Sequence, residues 1–202
     1  MNMFKCKEET LFSKRMTKTE KFFKRLPFTT FFSPEFICNA LDKKLIENVS
    51  KQDMGAIKNS ILNGAKVNAR NEEGKTCLMI ACEKGNFEIV SFLIKEYAKL
   101  DLRDDKGKTA LHYACMQSNL RIISSILSKD LGKRKFRKRI NRIDKEGNTP
   151  LNLAVQNNHY FIVNYLLLNK ANKNIKNKEG KDAFDVAKKN DNVKIMVLLR
   201  NF

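Results

Sequence analysis

The chain has 202 residues, 42% of them hydrophobic, which is ordinary for a protein that buries a core. It carries 40 Lys and Arg against 22 Asp and Glu, a formal charge of +18 that favours acidic partners, although an abundance of Lys and Asn is a second origin for the bias. No apolar run approaches the roughly 18 residues of a membrane helix or the block of a secretory signal, and five unpaired-looking cysteines with two distant histidines argue against a disulfide framework or a zinc site.

Residues 1–40 differ in texture from the rest. They hold 8 of the 14 Phe residues, a scatter of Lys and Arg, and two of the three prolines, Pro27 and Pro34. The expectation is a basic, Phe-rich extension, part tail and part cap, in which Phe28, Phe31, Phe32 and Phe36 cover the open end of the segment after residue 40. Lys and Arg interleaved with Phe also suit an anionic bilayer, so peripheral membrane contact is the alternative for this segment. Pro27 and Pro34 interrupt a long amphipathic helix and weigh against it.

From residue 41 the chain is periodic. Gly74, Gly107, Gly147 and Gly180 are spaced by 33, 40 and 33 residues, and Leu78, Leu111, Leu151 and Phe184 repeat those intervals, as do Ala81, Ala114, Ala154 and Ala187. The interval of 40 reads as 33 plus a seven-residue insertion. Aliphatic pairs follow eleven residues after each anchor, at Ile89-Val90, Ile122-Ile123, Ile162-Val163 and Ile195-Met196, with second pairs four residues on at Leu93-Ile94, Ile126-Leu127 and Leu166-Leu167. Doublets at i and i+4 form one wide apolar stripe on a helix.

One unit, Asp104 to Leu127, shows how these spacings build structure. Gly107 permits a positive-φ turn, and Thr109 is placed to cap a first helix through its hydroxyl. Small Ala114 and Cys115 let that helix approach its neighbours. The chain turns back near Ser118-Asn119, and Leu120 to Leu127 forms a second helix. Neither helix buries its stripe alone, so the units must stack.

The stretches NEEGKTCLMIAC from Asn71, DDKGKTALHYAC from Asp104, DKEGNTPLNLAV from Asp144 and NKEGKDAFDVAK from Asn177, with the loop Gly64-Ala65-Lys66-Val67-Asn68-Ala69, resemble the ankyrin repeat. The resemblance covers about residues 41–202 and implies an all-α solenoid of five units with short hairpin fingers: about 41–70, 71–103, 104–142 with the insertion, 143–176 and 177–202. The opening unit looks half-degenerate, with an outer helix one residue short. Cys77 and Ala110 stand in for the motif's proline, Met79 and Asn152 for its histidine, and Asp182 for its threonine. Lys188 and Arg200 occupy positions that earlier units bury, as a solvent-facing end unit requires.

Catalytic chemistry finds no footing. His112 falls where the family uses histidine to bond neighbouring backbone, and His159 precedes a second helix. No paired carboxylates, phosphate loop or Cys/His nucleophile context is present, so no enzyme, cofactor or metal is expected. Cys82 and Cys115 share a repeat position and should pack as small hydrophobes.

In the family, first helices and finger tips line a concave face that recognises protein partners. Carried onto this chain, the tips are Glu72, Glu73 and Lys75, then Asp105, Lys106 and Lys108, then Lys145, Glu146 and Asn148. The first helices add Glu83 and Lys84, Met116 and Gln117, and Gln156 and Asn157. The insertion ends in KRKFRKRINR, where Lys133, Arg134, Lys135, Arg137, Lys138, Arg139 and Arg142 surround Phe136 without an acid. It reads as a loop near the fingertips that is either solvated or in contact with an acidic protein; phosphate contact or nuclear import is a further alternative, without base reading.

The expected function is a non-catalytic protein-interaction module, an adaptor, scaffold or inhibitor, working in the cytoplasm. The alternatives are a basic nucleic-acid-associated or nuclear factor using residues 133–142, and a secreted effector of an intracellular microbe that binds a host protein.

Overall fold

The computed structural model describes residues 34–127 and 133–202, with side chains at 39–127 and 135–202. The cap assigned to Phe28, Phe31, Phe32 and Phe36, the membrane contact of residues 1–40, and the side chains of Cys6 and Cys38 lie outside the described residues. The chain divides between Asn39 and Ala40, within the first helix, and the repeats fall in the compact unit Ala40–Phe202.

Eleven helices are described. They are α1 (Pro34–Lys51), α2 (Met54–Leu62), α3 (Cys77–Glu83), α4 (Phe87–Lys95), α5 (Ala110–Met116), α6 (Leu120–Leu127), α7 (Lys133–Ile140), α8 (Pro150–Gln156), α9 (Tyr160–Leu168), α10 (Ala183–Lys189) and α11 (Val193–Asn201). From α3 onward, short first helices of seven residues alternate with second helices of eight or nine, apart from α7. The only β-type pairing among the described residues is an isolated antiparallel bridge between Arg70 and Thr76.

The core follows the periodicity. Leu78, Leu111 and Leu151 are at most 1% exposed, and Ala81, Ala114, Ala154 and Ala187 are fully buried, which lets consecutive first helices lie close together. Ile89, Val90, Ile122, Ile123, Ile162, Val163 and Ile195 bury the stripe of the second helices. Each large aliphatic side chain so buried contributes about 2 kcal/mol. Phe184, the anchor of the last unit, is only half-buried, and the Arg200 guanidinium stacks on its ring at 5.1 Å. Lys188 and Arg200 are exposed. Among the described cysteines, Cys77, Cys82 and Cys115 are buried free thiols; burial pushes the Cys77 thiol up to about 12 and raises the other two as well.

Two sequence expectations change. The second helix of the opening unit is not short: α2 has nine residues, as α4 does, and places Ser60 where α4 has Leu93. That buried hydroxyl is matched by Asn48, whose Nδ2 donates to Ser60 Oγ at 3.0 Å. Thr109 is the N-cap of α5 and forms a box with His112, its hydroxyl lying 2.9 Å from His112 Nδ1, while Thr76 and Thr149 cap α3 and α8 through their hydroxyls. Finally, the basic insertion is not a loop over residues 133–140 but the helix α7.

Candidate functional site

Each finger is built by the same local chemistry. Asn71, Asp104, Asp144 and Asn177 each accept, through Oδ1, the backbone N–H groups two and four residues on, at 2.7–3.1 Å. The same residue closes the turn by donating its own N–H to the carbonyl four residues later, at Lys75, Lys108, Asn148 and Lys181. A short Asx side chain competes well for backbone partners in this way. Gly107 takes φ +75°, and a methyl there would meet the backbone N of Lys145 at 2.9 Å, so glycine is required both by conformation and by the next finger.

Fingers are also locked to one another. Asp105 N donates to Glu73 O at 3.1 Å, Lys145 N to Lys106 O at 2.9 Å and Lys178 N to Glu146 O at 2.9 Å. Arg70 reaches the Arg103 carbonyl at 2.7 Å, and Arg103 reaches the Ile143 carbonyl at 3.0 Å. His112 adds a buried link: Nδ1 accepts from Thr109 N at 3.1 Å, so Nε2 carries the proton and donates to Asn148 O at 3.3 Å. Burial, outweighing the pull of Asp144, pushes its pKa down to about 4. His159 Nε2 pairs with the Met116 carbonyl at 3.0 Å on the turn side.

Finger and first helix share one face, because in the second and third units the residue closing the finger meets the residue eight positions on. Lys75 Nζ pairs with Glu83 at 3.1 Å, and Lys108 Nζ approaches Met116 Sδ at 3.7 Å. Of the residues assigned to this face, Glu72, Glu73, Lys84, Asp105, Lys106, Lys145, Glu146, Gln156 and Asn157 are exposed; Lys75, Glu83, Lys108, Met116, Gln117 and Asn148 are half-buried. Lys75 and Lys108 are engaged within the chain, both over the Tyr113 ring at 5.1 and 5.8 Å. Tyr113, which sequence reasoning passed over, fills the space between these two fingers.

The basic run separates into two roles. Lys135, Arg137 and Lys138 are exposed and Arg142 is half-buried, while the side chains of Lys133 and Arg134 lie outside the described residues. Arg139 is 5% exposed and pairs with both Asp101 carboxylate oxygens, at 2.8 and 2.7 Å, and with the Ile126 carbonyl at 3.1 Å. The hydrogen bond from Arg139 holds the Asp101 carboxyl below the usual range. Arg139 therefore leaves the set of exposed cations and becomes an anchor. In other units the backbone N–H eight residues before the finger glycine donates to the preceding unit: Lys99 to Asn68 and Asn172 to Asn141, both at 2.8 Å. Arg139 occupies that register, and its guanidinium replaces the N–H as the donor to Asp101. The spacing of Phe136, Arg139 and Ile140 was the sequence signal for this helix.

Among the described residues no helix is long and apolar enough to cross a membrane. A family model described as ankyrin repeats (3 copies) matches residues 45–138, and a second, described as ankyrin repeats (many copies), matches residues 134–187. A search of curated proteins found no match.

Proposed function

The chain belongs to the ankyrin-repeat family, and on that premise we propose that it is a non-catalytic module that holds a protein partner against its row of fingers and first helices. Ankyrin repeats are generally protein-protein interaction modules. The observation that carries the reading is the backbone lock between fingers, Asp105 to Glu73, Lys145 to Lys106 and Lys178 to Glu146. Tips held by their neighbours lose little freedom when a partner docks, so contact energy is not spent on ordering the surface. The exposed tip and helix residues on this row have no core role, and both charge signs are displayed there.

The test uses a partner recovered with the full chain and then purified. Replacing Lys106, Lys145 and Asn157 together by Ser should weaken its binding at least tenfold while leaving the circular dichroism spectrum unchanged. Unaltered affinity would remove this face.

A second reading rests on α7. Arg139 pins this helix, so Lys135, Arg137 and Lys138 are presented from fixed backbone, an arrangement suited to an acidic protein surface or to phosphates. Replacing those three by Ser should abolish salt-dependent retention on duplex DNA if phosphate is the partner; unchanged retention removes nucleic acid from this helix.

A further inference from the structure

The stack is not equally filled between units. At one pair of repeat positions the second and third units hold Met79 and Tyr113, the third and fourth His112 and Leu153, and the fourth and fifth Asn152 and Val186. Both are smaller, and a slot of about 170 Å³ opens there on the finger-and-first-helix side. At about 30 Å³ per water this is the space of roughly five waters, or one amino-acid side chain.

The chemistry of the slot is one-sided. Asn152 is 1% exposed; Thr149 Oγ1 donates to its Oδ1 at 3.1 Å, and its Nδ2 has no partner. His112 reaches the Asn148 carbonyl from the equivalent position, but the shorter Asn152 has no such bond to the carbonyl of Lys181. A buried amide donor without a partner is destabilising, and an incoming acceptor would relieve it. Lys178, Lys181 and Lys189 line the same slot, with Glu146 and Glu179, and Lys181 is paired with Glu179 at 2.6 Å. Gly180, in the fifth finger, faces open space: a methyl built there would meet nothing within 4 Å, whereas one on Gly147 would meet the next finger's backbone at 3.0 Å.

We propose that this slot between the fourth and fifth units receives the carboxylate of an acidic side chain from the protein partner, which accepts from Asn152 Nδ2 beneath the lysine rim. The proposal rests on the partner-binding reading above and names the side-chain class taken at one position of that face. A carboxylate suits a donor floor and a cationic rim, since charge-assisted hydrogen bonds are the stronger kind.

The experiment titrates the ¹⁵N-labelled full chain with N-acetyl-glutamate N-methylamide and, separately, with its glutamine counterpart. The Asn152 side-chain amide resonance is assigned by its loss in Asn152→His. The glutamate probe should shift this resonance saturably, at least tenfold more tightly than the glutamine probe. Asn152→His and Val186→Tyr fill the slot as other units do, and each should abolish saturable shifts at the fifth finger while retaining the fold; if one fails to fold, the other decides. No saturable shift, equal response to both probes, or a response surviving the filled slot would overturn the proposal. Because the probe is a single residue, the outcome is separable from partner docking: a silent slot with an intact partner effect at Lys106, Lys145 and Asn157 sinks only the slot, and the converse sinks only the docking face.

Discussion

His112 illustrates how one side chain joins two units and makes stability depend on pH. Its ring is neutral in the fold, with a pKa of about 4 against an ordinary value of 6.5. Above pH 6.5 both folded and unfolded chains hold it neutral; below, the unfolded chain takes up a proton that the folded chain refuses until about pH 4. Stability should therefore fall with falling pH across that window, by about 3 kcal/mol in total. Urea unfolding at pH 7.5 and pH 5 should show the loss, and His112→Asn should flatten it; an unchanged slope in that variant would refute the assignment. Glycines give a second prediction. Gly147 and Gly180 share a φ near +75°, which costs an alanine about 1 kcal/mol, but only at Gly147 would the new methyl meet backbone, Asn177 Cα at 3.0 Å. Gly147→Ala should thus cost at least about 1 kcal/mol more than Gly180→Ala, read from the same urea curves. At this scale the turn glycines, the caps and the structural role of His112 were legible, since each rests on a fixed offset within one unit. The orphaned amide of Asn152 was not, because it depends on a carbonyl in the next unit that the side chain fails to reach.

Among the elements, α7 is the one the periodicity could not supply. An insertion breaks the count, and a run dominated by Lys and Arg reads as solvated surface. Its helix is held by the apolar pair Phe136 and Ile140, one turn apart, and by Arg139 between Asp101 and the Ile126 carbonyl. Asp101 is about half exposed, so removing the guanidinium leaves a carboxylate that water can still solvate, and the cost falls below that of a fully buried pair. Arg139→Ala should destabilise by about 2 kcal/mol and speed hydrogen exchange of the α7 amides. Arg139→Lys should recover only part, lacking the two-pronged geometry, and Lys138→Ala should stay within about 0.5 kcal/mol. Equal effects from Arg139→Ala and Lys138→Ala would show that α7 is not anchored this way. The paired helices elsewhere were legible because i, i+4 doublets recur at a fixed period, and a stack of such units has few other ways to bury them.

For the whole molecule, fold and family followed from repetition, whereas the partner surface is what repetition does not constrain. Tip residues such as Lys106 and Lys145 lend their backbone to the finger lock and leave their side chains exposed, so sequence alone gives their place without their use. Structure adds that Lys75 and Lys108 are committed to Glu83, Met116 and Tyr113, and that the basic run is split between an anchor and an exposed helical face. The central claim is that a protein partner docks on the fingers and first helices. It is tested most directly by placing a photo-crosslinking amino acid, one site at a time, at Lys106, Lys145 and Asn157 on that face and at Lys95 and Lys170 at the ends of second helices. Covalent partner adducts should form from the first three positions and not from the last two; adducts from Lys95 or Lys170 with none from Lys106, Lys145 and Asn157 would refute docking on this face.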